Sequence, residues 1–213
     1  MWDFIIQRQE QITFAAYQHV SLVVQAVVVA TVLAVALAVL VTRVRWLEPV
    51  ASAVSAMGLT IPSFALLGLL VPLVGIGVAS SFVAVTFYAV LPILRNAVVG
   101  LQGVDKTLVE SAEGMGMSTV STLMRVRLPL AWPVILAGVR VSTQMSMGIA
   151  AIAAYVLGPG LGFLIFTGLA QIGGANALNS ALVGTIGVVL LALLLDALLL
   201  LLGRLTISKG IRA

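Results

Sequence analysis

The stretch LLALLLDALLLLL, residues 190–202, decides the fold class. It does not alternate apolar and polar positions, as a strand of a membrane barrel must. Asp196 is its single charge. In a medium without water, a helix satisfies its backbone amides from within the segment, so such a run reads as a spanning helix. Working outward, residues 141–195 carry no charge at all, and neither do 49–94 or 11–42. The whole chain has 213 residues, of which 62% are hydrophobic and 8% charged. A soluble domain carries about 25% charged residues, so this surface cannot face water. Mean hydropathy of +1.22 agrees. The sequence is that of an all-α integral membrane protein.

A spanning helix needs roughly 20 apolar residues. On that basis five spans are expected, at about 20–42, 50–74, 82–101, 130–157 and 181–203. Gly75-Ile76-Gly77 and Ser80-Ser81 supply the turn between the second and third. Gly158-Pro159-Gly160 and Gly173-Gly174 break the run between the fourth and fifth. Residues 161–172 are apolar but short, and form either a half-helix dipping into the outer face or an amphipathic loop helix.

Five spans put the termini on opposite sides. Arg43, Arg45, Arg95, Lys106, Arg125, Arg127, Arg204, Lys209 and Arg212 then fall on one side, with Arg8 alone on the other. That bias places the N-terminus outside and the tail, residues 206–213, in the cytoplasm. Residues 1–19 are too polar to span. Phe4, Ile5, Ile12, Phe14 and Tyr17 among polar neighbours suggest a helix lying on the outer interface, with His19 near the surface. No cleavable signal peptide is expected, since Asp3 and Glu10 interrupt the basic-then-apolar order.

Several chemistries are excluded. Cysteine is absent, so there is no disulfide or thiolate nucleophile. A lone histidine leaves no metal site of the usual type. The pI near 10.1 does not indicate nucleic acid, because the basic residues stand singly between apolar runs. Neither H-E-x-x-H nor G-x-S-x-G occurs, so no enzyme is expected.

Within the spans, Ala26, Ala30, Ala34 and Ala38 recur at a spacing that lets two helices approach closely. Pro62-Ser63 interrupts the second span and marks either an ordinary kink or a hinge on a central pathway. Pro72 and Pro92 are assigned to span ends. The aromatics Phe64, Phe82, Phe87, Tyr88 and Tyr155 are scattered and read as packing or lipid-facing residues. Arg140 lies about 15 Å into the fourth span, and Asp196 about 12 Å from the cytoplasmic end of the fifth. The two reach similar depths, where an unpaired charge is costly, so an ion pair is expected within one chain or across two. The alternative is that Arg140 snorkels to the headgroups while Asp196 lines a wet cavity or meets Arg204.

The loop at 105–129 is the most polar stretch between spans. Asp105 is a good N-cap, Gly116 a helix stop, and Ser118 or Thr119 the next cap. Two short helices at an angle are expected, with Leu108, Val109, Ala112 and Met115 as an apolar stripe that needs a partner. Here the residues resemble a known pattern. The permeases of binding-protein-dependent ABC importers carry E-A-A, then G, then I-x-L-P in this loop. This chain has Glu110-Ser111-Ala112, Gly116 and Val126-Arg127-Leu128-Pro129 at the same spacing, with Ser111 and Val126 as conservative departures. TIPSFALLGLLVPLVGIG (60–77), LPILRNAVVGL (91–101) and LPLAWPVILAGVR (128–140) further resemble the branch serving glycine betaine, choline and carnitine.

The resemblance implies a type I importer permease domain over 20–205, with the loop as a coupling helix that docks on a cytoplasmic ATPase. ATP is bound by that ATPase, and no cofactor is expected in this chain. Its two lysines, Lys106 and Lys209, both lack the preceding glycine of a phosphate-binding loop. The implied partners are the ATPase subunits, a second permease copy or a paralogue, an extracytoplasmic substrate-binding protein and membrane lipid, with no nucleic acid. The implied location is the bacterial cell membrane. A permease for methionine or another small solute is the alternative.

Overall fold

The computed structural model describes residues 1–44, 46–208 and 210, and contains no strand among them. Arg45, Lys209 and Arg212, counted above on the cytoplasmic side, lie outside the described residues, as do 211 and 213.

Two helices open the chain, α1 (Trp2–Gln7) and α2 (Gln9–Arg43). A bent pair follows, α3 (Leu47–Thr60) and α4 (Ser63–Val74), and then α5 (Val78–Gln102). The loop carries α6 (Lys106–Gly114). Next, α7 (Thr119–Thr122), a π turn over Leu123–Arg127, α8 (Leu128–Ala153) and a 3-10 turn over Ala154–Val156 join into one helical rod. After it come α9 (Gly162–Ala170) and α10 (Ala177–Thr206). Four helices are long and apolar enough to cross a membrane, and the α3–α4 pair makes a fifth if taken as one broken span.

Several expectations change. The second span, 50–74, is not a straight helix with a kink, because its halves bend by 95°. The proline ring pushes the preceding residue out of the helical region, and Ile61 (φ −66, ψ 125) and Pro62 (φ −64, ψ 132) are both extended. The fourth span begins not at 130 but at Thr119. The expected second loop helix is its first turn. Pro129 lacks an N–H, but the rod continues because the ladder lengthens locally, with Leu128 N–H donating to the Leu123 carbonyl. Finally, residues 1–19 are not a segment of their own, since α2 runs unbroken from Gln9 into the first span. Hydropathy reports where a helix can be buried, not where its hydrogen-bond ladder stops. Pro92, assigned to a span end, stands near the middle of α5 and is buried there.

The centre of the bundle is α5, packed between α2 and α8. Ala26, Ala30, Ala34 and Ala38 are all fully buried. They share one core cluster with Val85, Ala89, Ile93 and Ala97 of α5. Small side chains let the helix backbones come close, which is the main source of attraction where lipid is as apolar as leucine. In contrast, only 6% of the most apolar window of α10 is buried, against 56% for α5. Helix α10 is therefore the outermost of the four unbroken spans.

His19 is not at the surface but fully buried. Leu161 N–H donates to its Nδ1 at 3.2 Å, which leaves Nε2 to donate to the Met147 carbonyl at 3.1 Å. The ring is thus a neutral staple joining α2, α8 and the loop before α9. Gly160 lies against it with φ +117, and a Cβ there would come within 2.6 Å of Nδ1. Around this staple, Phe4 and Ala15 cluster with Leu161, Leu164 and Val183, while Phe14 and Tyr17 face outward. The N-terminal helices thus cap the α9–α10 hairpin. Replacing His19 by leucine strands a buried N–H, and the expected loss is about 1–3 kcal/mol of stability. Thermal unfolding of His19→Leu in lipid nanodiscs checks this, with a lower midpoint expected than for His19→Gln.

Candidate functional site

The loop is built from local rules. Asp105 caps α6, its Oδ1 accepting from Thr107 N–H at 2.8 Å. Ser111 Oγ donates back to the Thr107 carbonyl at 2.7 Å. At the other end Gly116 N–H donates to Glu113 O at 2.9 Å and Met117 N–H to Ala112 O at 3.1 Å. This pair of bonds is a Schellman stop, and it requires a left-handed residue, which Gly116 supplies with φ +84. An added Cβ at Gly116 would meet nothing within 4 Å, so the glycine serves backbone conformation rather than space.

The expected apolar stripe divides. Ala112 is 2% exposed and holds α6 to the protein, with Val109 half-buried beside it. Leu108 and Met115 point outward, as do Val120 and Met124 on the start of the long rod. Glu110 and Ser111 are exposed on the same helix. Beside Glu110 opens a cavity of 610 Å³ between the ends of α2, α3 and α5, lined also by Glu48, Lys106 and Arg127. Val126 and Leu128 are half-buried in and just after the π turn, and Pro129 is exposed. Arg127, which spacing alone did not single out, donates from Nη2 to the Leu101 carbonyl at 3.3 Å. A cation at that point complements the C-terminal end of α5 and ties the loop to it.

Between α8 and α10 the structure brings Arg140 and Asp196 together. Arg140 Nε donates to Asp196 Oδ1 at 2.9 Å and Nη2 to Oδ2 at 3.0 Å. This is a two-point fork matched to the carboxylate. The side chains are 33% and 18% exposed, so the pair sits at the edge of the bundle and joins α8 to α10.

Pro62 and Ser63 stand at the bend, Pro62 exposed and Ser63 half-buried. The Tyr88 hydroxyl donates to the Ile61 carbonyl and so holds the bend against α5. Three rings also converge near it. Phe64 and Tyr155 meet with centroids 5.2 Å apart, Phe64 and Phe166 at 6.4 Å, and Tyr155 and Phe166 at 5.6 Å. The scattered reading of the aromatics does not hold for Phe64 and Tyr155. Positions so distant in sequence gave no sign of meeting, and only the packing of α4 against the α8 rod brings them together.

Comparison with known proteins places this architecture. The family of binding-protein-dependent transport system inner membrane components matches residues 26–207. The chain is 39% identical over 167 residues to the choline transport system permease protein OpuBB of Bacillus subtilis (strain 168), which spans 78% of this chain and 77% of that protein. It is 38% identical to the osmoprotectant import permease protein OsmW of Salmonella typhimurium over 92% of each chain. With the glycine betaine/carnitine/choline transport system permease protein OpuCB of Bacillus subtilis it shares 34% identity, covering 100% of this chain and 96% of that one. In fold it is similar to a chain of the inward-facing MetNI methionine ABC transporter, with a TM-score of 0.77 at 20% identity over 97% of this chain and 99% of that one.

Two outcomes follow from the geometry. Arg140→Asp and Asp196→Arg each leave like charges facing at bilayer depth, at a cost of about 2.5–3.5 kcal/mol per unpaired charge, and the double exchange restores the fork. Folded yield and unfolding midpoint in nanodiscs read this, with the double variant expected above both singles. At the loop, Gly116→Asn is expected to be milder than Gly116→Val, whose branched Cβ resists a positive φ by about 1–2 kcal/mol. Protease sensitivity of the loop distinguishes the two.

Proposed function

Because the chain belongs to the family of binding-protein-dependent transport system inner membrane components, we propose that it forms the pathway for a small osmoprotectant, such as glycine betaine, choline or carnitine, in an ATP-driven importer. The observation that carries the substrate class is identity of 34–39% with permeases of that class across most of the chain. Likeness to the methionine transporter, at 20% identity, concerns the fold alone, and methionine is not favoured.

In this reading α6 is the handle. Glu110, Ser111, Ala112 and Gly116 shape a short rigid helix, and Val126, Leu128 and Pro129 anchor it to the long rod. Leu108, Met115, Val120 and Met124 present an apolar face that a groove on a cytoplasmic ATPase would cover, with Glu110 to pair with a basic group there. ATP is bound and hydrolysed by that partner. A second permease copy or a paralogue completes the pathway, and an extracytoplasmic binding protein delivers the solute. The pathway runs by the Pro62-Ser63 bend, whose extended backbone lends itself to hinge motion. The protein is a multi-pass component of the inner membrane, with the N-terminus outside and the residues after α10 in the cytoplasm.

The test is copurification with the native ATPase and binding protein, followed by ATPase stimulation and uptake across betaines, choline, carnitine and methionine. Stimulation by methionine alone would overturn the substrate class. Glu110→Lys is expected to lower uptake at least ten-fold while leaving the unfolding midpoint unchanged, since Glu110 is exposed. Wild-type transport with normal ATPase association would remove the coupling role. For orientation, a cysteine at position 2 is expected to react with an impermeant thiol reagent on intact cells, and one at position 210 only after lysis.

A further inference from the structure

Three aromatic rings from three separate segments meet on one exposed corner of the protein. Phe64 belongs to α4, Tyr155 to the 3-10 turn after α8, and Phe166 to α9. Their planes are steeply inclined to one another, at 76°, 90° and 58°. Rings so inclined meet edge to face, and the sides turned away from these contacts border a corner. Phe64 is 47% and Tyr155 66% exposed, so these two rings are open to an incoming molecule, while Phe166 is half-buried. The pair Phe87 and Tyr88 is different: Tyr88 is 3% exposed and its hydroxyl is engaged at the bend.

The corner is held firmly. Tyr155 precedes Leu157, a bulky residue in the left-handed region with φ 60. That conformation is costly for a branched side chain and persists only where its surroundings impose it. Here Leu157 N–H donates to Ala154 O, Gly158 N–H to Ala153 O and Gly77 N–H to the Val156 carbonyl. Phe64 follows the Pro62-Ser63 bend directly, so one wall is carried by the α4 side of the break.

No charged side chain occurs in residues 63–78 or 150–172. The segments that carry the three rings therefore offer a cation reaching this corner ring faces and no charged group. An ammonium or a metal ion would give up strong hydration without gaining hydrogen-bond acceptors. A quaternary ammonium group has no N–H, is weakly hydrated, and is attracted by the negative ring faces. The corner lies at the end of the long rod opposite the loop, where solute arriving from outside would first meet the permease. We infer that Phe64, Tyr155 and Phe166 form a reception site for a quaternary ammonium group on the outer half of the permease. The inference rests on the osmoprotectant reading for the class of solute.

The full-length permease in lipid nanodiscs, without its partners, is titrated with choline. Saturation-transfer NMR of the trimethylammonium protons reports binding. The uncharged probe 3,3-dimethylbutan-1-ol has the same shape without the charge. Choline is expected to give a signal that Tyr155→Leu and Phe64→Leu each weaken about ten-fold and that Tyr155→Phe retains, as loss of a cation–ring contact requires. The neutral probe is expected to give no comparable signal. Equal signals from wild type and both leucine variants, or from choline and its neutral counterpart, would overturn the site. If ring-dependent binding persists while the assembled importer takes up no quaternary ammonium solute, the cargo reading falls and the site stands.

Discussion

The constraint on which this structure depends is that a helix broken inside a bilayer has no water to repair it. Each break must bring its own partners, and the breaks here are where the distinctive residues lie. At the α3–α4 bend the Ile61 carbonyl accepts from Tyr88. In the loop before α9, Leu161 N–H donates to His19. Where α10 packs on the short helix α9, Ser180 Oγ donates to the Leu164 carbonyl at 2.8 Å. Along α5, Pro92 removes the ladder bond to the Tyr88 carbonyl, and at the next carbonyl, that of Ala89, Ser142 of α8 donates at 2.8 Å. Serine, tyrosine and histidine do inside this bundle what solvent does at the surface of a soluble protein.

The same constraint explains how the spans differ. Helices α2, α5 and α8 pack through small residues and form the core. Helix α10 buries residues only near its two ends, Ala177, Ser180, Val183, Gly184 and Gly203. Its middle is held by half-buried leucines and by the fork between Arg140 and Asp196. A directional contact of that kind fixes the rotation and height of a helix that apolar packing alone would leave free to slide. That accounts for a charged pair at a depth where each charge alone is unfavourable.

Much of this was legible because it is local or periodic. The apolar runs locate the spans, and the alanine repeat in the first marks a packing face. Asp105 and Gly116 bound α6 by capping rules that need no tertiary information. For Arg140 and Asp196, helix rise gives the depth but not the face each side chain takes. The remainder depends on long-range contacts that spacing does not carry. His19 looked superficial because its neighbours are polar, yet its partners Met147 and Leu161 are more than a hundred residues away in sequence. Pro129 read as the end of a loop, but a π turn absorbs it. Pro62 announced a break without announcing its angle.

Two of these features share α5. Arg127 grips the carbonyl of Leu101 at its loop end, and Tyr88 reaches the bend at Ile61 from its middle. The two positions are separated by about 20 Å of helix. A helix transmits displacement along its axis stiffly because its ladder bonds share the load. The loop therefore cannot shift against α5 without breaking the Arg127 contact, and α5 cannot slide past α3 without breaking the Tyr88 contact. Either bond alone is a modest interaction of about 0.5–1.5 kcal/mol, or about 1.5–3 where a charge takes part. Placed at the loop end and in the middle of a rigid element, they connect the loop to the extended backbone at the Pro62 bend, and so to the α4 side on which Phe64 stands.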